Sequence, residues 1–484
     1  MDTTFKIKTL AEIAKAVDPF KKKGLKVVHC HGEFDLLHFG HTRYFKAARK
    51  FGDLLIVTLT PDRFIMKGPG RPVFNEDQRA EAIANLEFVD YVGINEKADG
   101  EHVIRIIKPD IYVKGSEYIE KKDVTGRLEV EKKMIESLGG EMKFTHEAIF
   151  SSSKLLNNHF NVFPKESKPF LDKLSNEYDA MDILAFIDRL KEMKILLIGE
   201  PRIDEHIMCS PDKENPSQKI VVDTFSMPKG LLTGISILKH YCENLTILPI
   251  PLIDQEGDYN PCMISSIEEE ELAASTKPNC THYWDSQTNF NLFNVTSKIV
   301  NCNKHELENK LLILLESKID DFDSVLLFDH GSITNKIKNF LANQKLFLAL
   351  IIQEQNAMNE LYQYSNIDFL CLPEGLNKNL HQTDQILRTA QSEILVVSDS
   401  ECRWRHNEYS QIPRFSNKLD NSLGYDLPSL LLSILAPLRA IKINPEWLEL
   451  IGNALITLLA EKNRSIDIFD KTVFEKFIIA LLNR

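Results

Sequence analysis

Short apolar runs rich in β-branched residues recur at Leu25–His29, Leu54–Leu59, Tyr91–Ile94, Ile111–Val113 and Glu141–Thr145. Between them lie stretches with helical spacing of apolar residues: Thr42–Lys50, Glu76–Glu87, Glu101–Ile107 and Leu128–Leu138. Strand followed by helix, several times over, predicts a parallel sheet covered by helices on both faces. Crossovers in such a sheet are right-handed, and its ligands sit at the carboxyl ends of the strands. The residues just after each apolar run are therefore where chemistry is to be sought.

The rhythm breaks once. Val162–Ser175 is rich in Pro and Lys, and Tyr178–Met193 has the pattern of an amphipathic helix, so residues 161–193 read as a linker with a packing helix. A new apolar strand at Lys194–Gly199 restarts the alternation. The expected organisation is a first α/β domain over 1–160 and a second over 194–484, which agrees with the two or three domains that 484 residues allow. With 43% hydrophobic residues the chain can bury a core without metal or disulfide staples. A net charge of −12 argues against a general nucleic-acid or membrane-surface role.

The eight cysteines include no CxxC pair, so they read as reduced thiols rather than a zinc or redox site. The start, Met-Asp-Thr-Thr, lacks the pattern of a signal peptide. The most apolar stretch, Leu427–Leu438, is too short to cross a bilayer and contains Pro428 and Pro437. A cytoplasmic location is the expectation. Glu268–Glu271 reads as a solvated acidic loop.

The first apolar run leads into His31-Gly32-Glu33-Phe34-Asp35-Leu36-Leu37-His38-Phe39-Gly40-His41, with a helix expected near Thr42. This has the logic of a phosphate site. Gly32 and Gly40 let the backbone approach a ligand closely. The helix start offers free N–H groups and the positive end of its dipole. His38 and His41 can donate to oxygens that gain charge in a transition state. Read without that context, the two histidines would be ordinary polar residues at a helix start; the strand–loop–helix setting favours the phosphate reading.

The segment Gly32–His41 resembles the HxGH nucleotidyltransferase superfamily, which includes cytidylyltransferases and the adenylyltransferases of heptose activation. Further segments agree in order: Thr60-Pro61-Asp62, the basic loop Lys67-Gly68-Pro69-Gly70-Arg71-Pro72, Asp77-Gln78-Arg79, Val113-Lys114-Gly115-Ser116-Glu117-Tyr118 and Ser151-Ser152-Ser153-Lys154. The set most resembles the nucleotidyltransferase half of the bifunctional heptose-phosphate kinase/adenylyltransferase family. The resemblance implies a Rossmann-like domain in which His38, His41 and Lys67 are catalytic. Gly32, Phe34, Gly40, Lys114, Gly115 and Ser151–Ser153 would then bind the nucleotide.

Several of these residues have a structural alternative. Lys67 and Arg71 could be solvated loop charges, Arg79 could pair with Glu76 or Glu81, and Ser151–Ser153 could cap a helix. Asp35 could anchor its loop or help hold Mg²⁺; Asp35, Arg71, Arg79 and Tyr118 are kept as substrate-organising or structural candidates. No metal ligand is certain, and Mg²⁺ is expected to arrive with ATP or CTP. The departures from the family pattern are His31, where Asn is common, and Glu33, where a small or apolar residue is common.

Residues 194–484 resemble, more faintly, the ribokinase-like (PfkB) sugar-kinase half of the same bifunctional family, in reversed domain order. Ile195–Asp204 fits the first strand and substrate loop, Val325–Gly331 a central strand and turn, and Leu423-Gly424-Tyr425-Asp426 the position of the glycine-rich anion hole. Leu423 and Tyr425 put side chains where such a hole needs bare backbone. Met227-Pro228-Lys229-Gly230-Leu231 replaces the usual substrate signature, Gln353 stands where a carboxylate is expected, and Val396–Arg405 lacks the nucleotide-loop glycine. Asp204 and Asp426 would mark a degenerate kinase site, leaving assembly or regulation as the role.

The expectation is thus a nucleotidyltransferase that joins a heptose-phosphate-like sugar phosphate to a nucleoside triphosphate and releases pyrophosphate, assembled as a homodimer. It would take small-molecule phosphates and nucleotides as partners, with no nucleic acid and no membrane. Three alternatives stand beside it: a CTP-dependent cytidylyltransferase acting on a polyol phosphate, a bifunctional enzyme with an active kinase half, and a non-catalytic nucleotide-binding scaffold.

Overall fold

The computed structural model describes residues 3–97, 99–115, 127–145, 163–212, 218–250, 263–264, 276, 278, 280–286, 291–296, 304–330, 333–352, 366–373, 393–397, 401–405, 409–413, 415–416, 426–462 and 471–482. Two compact units divide at Val162/Phe163. The α/β expectation holds in both.

In the first unit, strands β1 (Val27–Gly32), β2 (Leu54–Leu59), β3 (Tyr91–Ile94), β4 (Ile111–Lys114) and β5 (Glu141–Phe144) form a parallel sheet in the order β3-β2-β1-β4-β5. Helices α1 (Leu10–Lys22), α2 (Phe39–Arg49), α3 (Glu76–Ala84), α4 (Gly100–Ile107) and α5 (Arg127–Ser137) accompany it. Alternation along the strands sorts the core. Val28, Cys30, Leu55, Val57 and Val113 pack with Phe45 of α2 and Ile83 of α3. Val27, Leu54 and Ile56 face Ile13 of α1 and Val103 of α4. The order reverses between β1 and β4, which places the ligand crevice there.

The strand starts are pinned by aspartates from neighbouring loops. Asp110 accepts from Val27 N (2.7 Å), Asp53 from Lys26 N (2.8 Å) and Asp90 from Leu55 N (2.7 Å). Each satisfies a backbone donor at the amino edge, away from the ligand side. The α3 start carries a reciprocal cap between Asn75 and Gln78, and Asp99 caps α4 through His102 N (2.9 Å).

The second unit opens with helices Lys168–Glu177 and Ala180–Asp188 and a 3-10 turn, Arg189–Glu192. The Pro- and Lys-rich stretch expected as a linker is therefore largely helical. Pro169 lies in its first turn, where no N–H is needed, and Leu171 and Leu174 are buried. Both helices pack on Lys471–Leu482 of the same unit.

The large sheet runs β17-β16-β15-β14-β13-β12-β6-β9. Its strands are β6 (Lys194–Gly199), β9 (Asn244–Pro249), β12 (Ser324–Asp329), β13 (Phe347–Ile352), β14 (Phe369–Pro373), β15 (Glu393–Val397), β16 (Glu401–Arg405) and β17 (Tyr409–Pro413). Pairing is parallel from β9 to β15 and antiparallel beyond. A separate sheet, β11-β10-β7-β8, is built from β7 (Pro201–Pro211), β8 (Lys219–Gly230), β10 (Cys280–Asp285) and β11 (Asn291–Thr296). The apolar stretch noted in the sequence is the buried helix Leu427–Ala440, packed against β12, β13 and β14. Among the described residues no helix is long and apolar enough to cross a membrane.

Candidate active site

Helix α2 starts at Phe39, earlier than the expected Thr42, because His38 is its N-cap. The Nδ1 of His38 accepts the Gly40 N–H at 3.0 Å. That nitrogen is therefore bare, and a neutral ring carries its proton on Nε2. Nε2 is buried without a hydrogen-bond partner among the described residues. His41 lies in the first turn of the helix, and its ring stacks on that of His38 at 4.0 Å, 13° from parallel. The result is an N–H donor with no acceptor among the described residues at a helix amino end, where anions bind.

Both rings are neutral. Burial pushes His41 down to about 3, helped by His38 and the Lys67 ammonium, against a smaller pull from the backbone at Leu36. Burial also lowers His38. A neutral imidazole still donates through its N–H, so stabilising phosphate charge needs no imidazolium.

The loop before α2 explains two glycine-adjacent residues. Phe34 has φ 44°, and its ring meets His41 edge-on at 5.4 Å and Phe45 at 4.9 Å. A Cβ on Gly32 would lie 2.8 Å from the Phe34 ring. Gly32 is thus required so that Phe34 can fold back and brace His41. In this structure both residues shape the site from beneath.

The basic loop divides into two roles. Lys67 is half-exposed and pairs with Glu33 at 2.8 Å. Arg71 is buried and pairs with buried Asp35, whose other oxygen accepts from Val73 N at 2.6 Å. Asp35 is thus a loop anchor. Arg79 is also buried and holds Thr60 O at 2.9 Å, Phe74 O at 3.1 Å, Glu33 O and Asp62. It ties the loops after β1 and β2 together, rather than pairing with Glu76 or Glu81 on its own helix. Among the described residues no three His, Cys, Asp or Glu side chains gather as a metal site. With Asp35 engaged by Arg71, the described residues do not fit a dedicated metal cage.

Lys114 stands at the end of β4, buried, paired with Glu131 of α5 at 2.7 Å. Gly115 follows it. Ser116, Tyr118, Ser151–Ser153 and Lys154 lie outside the described residues. Sequence reading missed Glu131, and it missed Thr58, whose hydroxyl is 2.8 Å from rings of both His29 and His31. The signal available for the latter was His29 and His31 alternating on one strand.

In the second unit the two aspartates singled out converge on Lys229. Asp204 lies 3.5 Å from Lys229 Nζ and 3.2 Å from His282 Nε2. Asp426 accepts from Gly230 N at 2.7 Å and from Ser429 N at 3.2 Å, capping the helix Leu427–Ala440. Burial raises its carboxyl, but the Lys229 ammonium and these N–H groups outweigh that and hold it below the ordinary value. His330 is buried with neither ring nitrogen hydrogen-bonded among the described residues, and burial with the Arg202 cation takes it down to about 3. Residues 331, 353 and 423–425 are outside the described residues.

Fold and site together define the first unit as a Rossmann-like domain of nucleotidyltransferase type. Residues 29–164 match the family model described as cytidylyltransferase-like, so this part of the chain is a cytidylyltransferase-like domain. Curated relatives match in the N-terminal part. The bifunctional protein HldE of Aliarcobacter butzleri (strain RM4018) is 42% identical over 138 residues, 28% of this chain and 29% of that protein. HldE of Trichlorobacter lovleyi is 39% identical over 144 residues, 29% of this chain and 28% of that protein. The chain thus spans under a third of the length of these relatives. Among solved structures, the ribokinase of Thermotoga maritima aligns at 14% identity over 60% of this chain and all of that one, with a TM-score of 0.40.

Proposed function

We propose that the first unit transfers a nucleotidyl group from a nucleoside triphosphate to the phosphate of a small molecule and releases pyrophosphate. The observation that carries this reading is the buried, unpartnered Nε2–H of His38 at the start of α2, stacked on His41. An acceptor phosphate oxygen attacks the α-phosphorus, the bond to the pyrophosphate oxygen breaks, and pyrophosphate leaves. The protein's work is positioning and charge stabilisation. His38 and His41 donate to the phosphate oxygens as charge grows, and Lys67, released from Glu33, neutralises the triphosphate. Mg²⁺ belongs to the nucleotide's phosphates as part of the substrate. The similarity to HldE proteins favours a heptose-phosphate-like acceptor, and Lys114-Gly115 with the segment after it favours ATP over CTP.

For the second unit we propose a role in assembly or regulation rather than phosphoryl transfer, in a cytoplasmic homodimer. Its support is that both oxygens of Asp426 already serve Gly230 and Ser429 N–H groups, while Leu423 and Tyr425 replace glycines in the sequence before it. Pyrophosphate release by the full chain, with each of four nucleoside triphosphates against sugar and polyol phosphates, tests the first reading. A polyol phosphate with CTP as the best pair would replace the heptose assignment. ATP-dependent phosphorylation of any sugar by the same chain would overturn the second.

A further inference from the structure

His29 and His31 lie on one face of β1, and Thr58 lies beside them on β2. Thr58 Oγ1 is 2.8 Å from His29 Nε2 and 2.8 Å from His31 Nδ1, all three residues being buried. A hydroxyl has one proton to give. With both rings neutral, the hydroxyl can bridge the two nitrogens by accepting from one and donating its single proton to the other. The remaining nitrogen of His29, Nδ1, is buried with no hydrogen-bond partner among the described residues.

An orphaned buried N–H is rarer than an under-used acceptor, so Nδ1 of His29 is the bare nitrogen. A His31 ring nitrogen also bonds the backbone of Thr58, and the inferred relay is the arrangement in which the Thr58 proton is used between the two rings. His29 donates from Nε2 to Thr58, Thr58 donates to His31 Nδ1, and the His31 proton sits on Nε2. Burial keeps both rings neutral, His31 at about 3.

The position of that proton matters. His31 Nε2 lies at the carboxyl edge of the sheet, 3.5 Å from Thr60 Oγ1, a contact too long to use the donor fully. On the other side of β1 the register pairs Cys30 with Val113, which sets Lys114 next to His31. His31 and Lys114 therefore flank the β1/β4 crevice, where strand order reverses. The two sit on the sheet face opposite the one that packs against α2.

We propose that His31 is a binding residue whose Nε2–H donates to a phosphate oxygen in this crevice, and that Thr58 and His29 are positioning residues that fix the proton there. The inference rests on the nucleotidyl-transfer reading for its place in the reaction, but its geometry is testable without turnover.

The full chain, labelled with ¹⁵N in its histidine rings, is titrated separately with an α,β-methylene nucleoside triphosphate and with a sugar phosphate. The expected result is an Nε2–H tautomer at both His29 and His31, with the His31 Nε2 signal shifted by whichever compound supplies the oxygen. Thr58→Ser keeps the relay. Thr58→Val breaks it, and the KM for that compound rises about tenfold with kcat changing less. A His31 proton on Nδ1, or a His31 signal unmoved by both compounds while His38 responds, overturns the proposal. Absence of pyrophosphate release from the wild-type chain sinks the transfer reading instead, a separate readout. If Thr58→Val does not fold, the Thr58→Ser and wild-type spectra still decide.

Discussion

The rings of His38 and His41 lie face to face at 4.0 Å, close enough that two imidazolium charges could not coexist. One is the N-cap of α2 and the other sits in its first turn, so helix geometry itself sets the stack. The site is thus built from neutral donors, and its behaviour with pH follows.

Histidines buried in neutral form make the fold acid-sensitive. The lowered group binds fewer protons in the folded chain than in the unfolded one. Its share of stability is complete above the ordinary 6.5 and is lost as pH falls toward the folded value of about 3, as for His31 and His41. Urea midpoints are expected to be flat above pH 7 and to fall below about 6.5, each such histidine adding up to about 1.4 kcal/mol per pH unit. His31→Asn should remove one such contribution. Denaturation at several pH values measures it.

On the proposed reading, in which Lys67 takes the triphosphate, its ion pair with Glu33 competes with the nucleotide. Because the pair is partly exposed, it is worth little to the fold, roughly 0.2–1 kcal/mol. Glu33→Gln should leave the urea midpoint unchanged and tighten triphosphate binding a few-fold at low salt. Lys67→Ala should weaken it. Calorimetric titration of the two variants checks both directions.

Much of this was legible in the chain, and the reasons differ by residue. Apolar β-branched runs located every strand of the first sheet, since burial on both faces leaves continuous runs such as Leu54–Leu59. His38 and His41 stood out because their strand–loop–helix setting with glycines suits a phosphate, and Lys67 stood out through the resemblance alone. The start of α2 was placed too late, because a histidine N-cap is uncommon and Ser, Thr, Asp and Asn are the usual signal. The helix Lys168–Glu177 was hidden by Pro169, which reads as a breaker unless it falls in the first turn. Pairings such as Lys114–Glu131 and the Thr58 bridge depend on tertiary proximity and leave no local trace.

Asp35 and Arg71 test the structural half of the motif. Both are buried, and removing one partner strands a charge. Arg71→Ala is expected to destabilise the first unit by about 3–5 kcal/mol, whereas Arg71→Lys should recover part of that loss. Urea denaturation followed by far-UV circular dichroism reads both.

The most direct measurement is pyrophosphate release by the full chain and by two variants. His38→Asn keeps a side chain able to cap α2 but removes the Nε2–H; His41→Ala removes the stacked ring. The account predicts acceptor-dependent release by the wild type and a loss of about 10²–10³-fold in kcat for each variant, with the His38→Asn fold intact. Undiminished release by either variant would contradict it.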